Sequence, residues 1–90
     1  MLKQELVDYL LNLGFTKEQE NSYTKIYDMF TEVEEGAEQA NKVKIEYKIQ
    51  SKIVYVIYHI RNTKSKRYKG KLAQLRVNNE GNLVGLKTFH

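Results

Sequence analysis

The chain contains no cysteine, no proline and no tryptophan. Without cysteine there are no disulfides, no thiolate zinc sites and no cysteine nucleophiles, and the absence fits a reducing cytoplasm. Long apolar runs are also missing. The longest nearly apolar stretch, Ile53 to Ile60, falls far below the ~20 residues of a membrane-spanning helix. The first residues, Met1-Leu2-Lys3-Gln4-Glu5, carry no apolar segment of signal-peptide length. A soluble, cytoplasmic protein without membrane contact is therefore expected. Heavy use of Lys, Asn, Ile and Tyr alongside these absences points to an AT-rich genome, such as that of a low-GC bacterium, a phage or a mobile element.

Acids are scarce in one half of the chain. Residues 42–90 hold only Glu46 and Glu80 against twelve Lys/Arg, a net of +10, whereas residues 1–41 hold nine acids against three lysines, a net of −6; together these give the overall +4. Such sorting suggests a surface kept for a polyanion, or one half neutralising the other. Ninety residues form one domain, residues 1–90, burying roughly 60–65% of the unfolded surface. A hydrophobic content of 41% with 29% charged residues is that of a globular chain rather than a disordered one.

Residues 2–13 read as an amphipathic helix, with Leu2, Leu6, Tyr9, Leu10 and Leu13 on one side and Gly14 where helices end. Residues 16–40 fit a second helix: Thr16-Lys17-Glu18-Gln19 resembles a capping box, and Tyr23, Ile26, Tyr27, Phe30, Val33 and Ala37 follow a helical stripe. A strand through 22–30 is the alternative, but it would place Lys25 beside Tyr23 and Tyr27 on one face, and Asp28 between Ile26 and Phe30 on the other. From Val43 the period becomes two. Strands are expected over 43–50, 53–60, 72–77 and 83–89, the last two joined through the turn signal Asn78-Asn79-Glu80-Gly81-Asn82. The expected fold is α+β: one or two N-terminal helices on one face of a four-stranded antiparallel meander. A two-residue loop at Ser51-Lys52 would oppose Ile49 to Val54, Tyr47 to Val56, Ile45 to Tyr58 and Val43 to Ile60. Lys44, Lys48, Tyr55, Ile57 and His59 would then lie on the other face.

The sharpest local feature is the run from Arg61 to Lys71, with six cations and no acid. Read as a hairpin loop, it could lay Arg61, Lys64, Lys66, Arg67, Lys69 and Lys71 along a phosphate backbone, with Tyr68 stacking on an unpaired base. Lys44 and Lys48 would extend that footprint onto the sheet. The competing reading is a solvated loop that blunts a sheet edge. Glu32, Glu34, Glu35 and Glu38 form an acidic cluster that could meet a basic partner, fold over the basic segment or be a dispersed solvated face. They lack the spacing and central glycine of a calcium loop.

Catalysis has little to draw on. His59 and the terminal His90 are the only histidines, and no nucleophile elbow, phosphate-binding glycine loop or zinc signature occurs. The expectation is a small non-catalytic protein without metal or cofactor, binding DNA or RNA. The alternative is a protein–protein module, either a homodimer or an inhibitor or adaptor of a host protein.

Overall fold

The computed structural model describes the backbone of residues 1–34, 37–61 and 67–88, and the side chains of residues 1–28, 42–60 and 69–85. Among the described residues, one helix, α1 (Lys3–Asn12), precedes six strands: β1 (Thr16–Gln19), β2 (Ser22–Glu34), β3 (Ala37–Ile49), β4 (Ile53–Arg61), β5 (Arg67–Val77) and β6 (Leu83–Thr88). The strands form one antiparallel sheet in sequence order, β1-β2-β3-β4-β5-β6. The class is α+β, but with one helix and six strands where one or two helices and four strands are expected from the pattern.

The first helix lies where its periodicity puts it, and Gly14 closes it in the left-handed conformation at φ 94°. Its apolar stripe is narrower than expected. Leu6 and Leu10 are buried, while Leu2, Tyr9 and Leu13 stay exposed. A helix resting on a sheet buries a single i, i+4 ridge unless something packs on its flanks. Its start is tied to the last hairpin: Lys3 N–H donates to the Gly81 carbonyl and Leu83 N–H to the Met1 carbonyl, both at 2.8 Å.

The described residues of 16–40 are not helical. Thr16–Gln19 is a strand rather than a capping box, and Ser22–Glu34 pairs with Ala37–Ile49 along a long ladder from Ser22↔Lys48 to Glu34↔Ala37. Tyr, Thr, Ile, Phe and Val dominate this segment and favour an extended backbone. The side-chain conflict that argued for a helix is resolved by the fold. Lys25 does share a face with Tyr23, but its ammonium donates to the Leu13 carbonyl at the helix end and lies 5.2 Å from the Tyr27 ring centroid. A cation at a helix C-terminus is electrostatically favoured. The acidic cluster changes character as well. Glu32 and Glu34 belong to β2 and Glu38 to β3, with Glu32 opposite Glu38, so no helix dipole acts on them; Glu35 lies outside the described residues.

The first hairpin has the expected register: Ile49↔Val54, Tyr47↔Val56, Ile45↔Tyr58 and Val43↔Ile60. Leu6, Leu10, Phe15, Tyr23, Ile49, Val54 and Val77 form the core on the helix side, with Tyr47 edge-on to Phe15 at 5.5 Å between ring centroids. Strand β5 starts earlier than its apolar alternation suggests. It begins at Arg67, so Arg67 to Lys71 are ladder residues rather than loop residues, and Arg61 is the last residue of β4, paired with Arg67.

Candidate nucleic-acid interface

With α1 covering one face of the sheet, the cross-strand ranks on the other face carry the candidate site. One rank reads Ile26, Lys44, His59, Lys69; the next Thr24, Glu46, Ile57, Lys71; the next Ser22, Lys48, Tyr55, Gln74. Neighbouring strands lie about 4.8 Å apart, so lysines from β3 and β5 flank the aliphatic and aromatic side chains of β4.

Strand β5 would not present its lysines here under strict alternation. Leu75 opposes Val54 and Ala73 opposes Val56, both helix-side positions, and continuing by twos would send Lys71 and Lys69 to the helix side. The register shifts between Val56 and Ile57: Ala73 pairs with Val56 but Lys71 with Ile57. The extra residue is Leu72, which is exposed. A bulge inserts one residue and re-aims everything beyond it. Here it moves Lys69 and Lys71 onto the open face and brings Gly70 opposite Tyr58. The Tyr58 ring lies against Gly70 so closely that a methyl there would stand 2.6 Å from Tyr58 Oη.

The chemistry of this face is a cationic rim around a small apolar centre. Ile57 is buried although it lies on the face opposite α1. Lys71 Nζ sits 4.7 Å from the centroid of the Tyr55 ring, a cation–π contact. Lys48, Gln50, Tyr55, Ile57, Lys69, Gly70 and Lys71 line an open cleft of about 470 Å³. Lys42 and Arg76 continue the positive charge along β3 and β5, both exposed. Lys44 makes a 3.6 Å ion pair with Glu18 from β1.

Exposed Asp28 lies opposite Lys42 at one end of this face, and one buried acid stands at its centre. Glu46 is buried, accepts the Ser22 hydroxyl at Oε2 (2.6 Å), and has His59 Nε2 at 2.9 Å from Oε1. Burial pushes its carboxyl up, but the hydrogen bonds from Ser22 and His59 and the nearby Lys48 charge outweigh it, and the pKa falls below the ordinary carboxylate value. Glu46 is thus held ionised, with each carboxylate oxygen engaged by an internal partner. Among the described residues, no group of three or more His, Cys, Asp or Glu is placed to hold a metal ion.

Of the residues singled out in the sequence, Lys44, Lys48, Lys69 and Lys71 come together on the open face. Arg61 and Arg67 pair with each other at the far end of the β4–β5 ladder, while Tyr68 opposes Ile60, in the alternate rank from Lys69. Lys64 and Lys66 lie outside the described residues. The aromatic at the centre of the lysine cluster is Tyr55. Gln50 and the Ser22–Glu46–His59 network escaped sequence reasoning; Ser22 and Glu46 are 24 residues apart, and no spacing rule links them. The pairing through Ser51-Lys52 was the one legible signal for this face.

No family model, curated protein or solved structure matches this chain. Among the described residues, no helix is long and apolar enough to cross a membrane.

Proposed function

We propose that this chain is a small non-catalytic binding protein whose open sheet face contacts a nucleic-acid backbone. The observation that supports this reading is the convergence of Lys44, Lys48, Lys69 and Lys71, from two strands, on the face that α1 leaves bare. Cations held on a rigid sheet neutralise phosphates at little ordering cost and release condensed counterions, which gives affinity without sequence choice. The hydrogen bonds that Ser22 and His59 make to Glu46 turn the central carboxylate inward and keep it from opposing this charge freely. The footprint is thus a sheet face, with any contribution from the segment between Arg61 and Arg67 added to it.

Fluorescence anisotropy with labelled single- and double-stranded DNA and RNA across 50–300 mM salt tests the proposal. Four neutralised phosphates correspond to a log–log salt slope of about −3 to −4. Reversing Lys69 and Lys71 to glutamate abolishes binding while the circular dichroism spectrum is retained. Flat traces for all four probes at low salt would sink the reading.

A protein-interaction module is the second reading, and a separate observation favours it: α1 leaves Tyr9, Leu11 and Leu13 exposed, at 53%, 48% and 42%. Light scattering distinguishes the self-associating form. A concentration-dependent dimer that Leu11→Glu dissolves would support it.

A further inference from the structure

We propose that the cleft around Tyr55 seats one unpaired base of a single strand, so that the open face selects single-stranded over double-stranded nucleic acid. This rests on the nucleic-acid reading and gives it a substrate class. The cleft, about 470 Å³, is within the size range of small-ligand pockets. Its composition is that of a nucleotide site rather than a plain anion site. Ile57 forms an apolar floor, 5% exposed, and Tyr55 supplies a ring. Gln50, exposed at the rim, offers both a donor and an acceptor to a base edge. Lys48, Lys69 and Lys71 stand around the same opening as phosphate partners.

The Tyr55 ring is held ready by an exchangeable contact. Lys71 Nζ lies over it at 4.7 Å. An exposed cation–π contact is weaker than base–aromatic stacking, so an arriving base displaces the ammonium, which remains in reach of the phosphate that follows. The bases of a duplex are paired and stacked inside it and cannot enter a cleft between β4 and β5 without unstacking. A splayed strand can, and beyond the cleft Lys44, exchanging its exposed ion pair with Glu18 for a phosphate, and Lys42, opposite Asp28, take its flanking phosphates. That extension commits the site to a strand rather than to a free nucleotide.

The experiment compares a ten-nucleotide oligothymidylate, a duplex containing it and free thymidine monophosphate at 100 mM salt, using wild type, Tyr55→Phe, Tyr55→Ala and Gln50→Ala. The strand binds at least tenfold tighter than the duplex. Tyr55→Phe keeps this preference, while Tyr55→Ala weakens strand binding by about 5- to 150-fold, as loss of one base stack requires, with duplex affinity and salt slope unchanged. Gln50→Ala, which removes no packing, weakens the strand alone and guards against a folding artefact at Tyr55. Equal affinity for strand and duplex, with Tyr55→Ala silent, would overturn the inference and leave backbone binding intact. Loss of both probes in wild type would overturn the nucleic-acid reading itself. Displacement of the strand by micromolar thymidine monophosphate would overturn the commitment to a strand.

Discussion

The Ser22 hydroxyl donates to Glu46 Oε2 at 2.6 Å, joining β2 to β3 on the face opposite α1. The bond accounts for a buried carboxylate in the middle of a lysine-rich surface. Ser22 and Thr24, buried beside it on β2, are likewise polar groups kept from water on an uncovered face.

Acid should weaken the fold through this residue. The Glu46 pKa is depressed in the folded state, so its contribution is fully present above the unfolded-state value, about 4.3, and is lost as pH falls through the folded value. Urea melts from pH 7 to pH 3 on wild type and Glu46→Gln should converge at the acid end, with the variant less stable at neutral pH. Glu46→Ala should cost about 1–3 kcal/mol at pH 7, because the Ser22 hydroxyl loses its acceptor in a buried position. A constant difference between wild type and Glu46→Gln across the pH range would contradict this.

Deleting Leu72 should remove the bulge without moving the lysines, because Lys71 then adjoins Ala73 directly and alternation alone keeps it opposite Ile57 on the open face. The salt slope of nucleic-acid binding should therefore match that of wild type. Replacing Lys69 and Lys71 by glutamine should instead lower the slope by about 1.5, the share of two phosphates. An unchanged slope in the folded double-glutamine variant would show that these lysines do not contact the backbone.

Gly70 and Tyr58 should behave as a coupled pair. An added Cβ at Gly70 meets Tyr58 Oη at 2.6 Å and two ring carbons at 2.7 Å, so Gly70→Ala should cost about 1 kcal/mol, the low end for overpacking because a half-buried tyrosine can turn outward. In the double variant with Tyr58→Ala, the glycine substitution should cost less than it does alone, as contacting residues are non-additive. Thermal melts of the four proteins measure the coupling directly.

Leu10 is the one helix residue sealed against the sheet, at 1% exposure. Leu10→Ala should destabilise by about 2–5 kcal/mol in chemical denaturation. Leu11→Ala, at an exposed position one residue on, should stay within about 0.5 kcal/mol. Similar losses at both sites would mean that α1 packs on more than its Leu6–Leu10 ridge.

The sequence by itself determined the parts whose signal is local. Residues 2–13 with Gly14 read as a helix because one face is apolar at 3.6-residue spacing. Residues 43–60 read as a hairpin because burial of one face imposes a period of two and leaves a single register that hides Val54 and Val56. The placement of Lys44 and Lys48 on the open face followed from that register. The tertiary structure decided the rest. Strand β2 was obscured because the polar residues Ser22 and Thr24 are buried on its open side, and because Lys25, charged and on the helix side, finds its partner in a carbonyl of α1. The start of β5 and its bulge were hidden because a cationic strand has the composition of a loop, and its register is set by pairing with β4 rather than by its own residues. Period and composition report burial along one segment; which charges a neighbouring element satisfies, and where a ladder slips by one residue, depend on strands that meet only after the chain has folded.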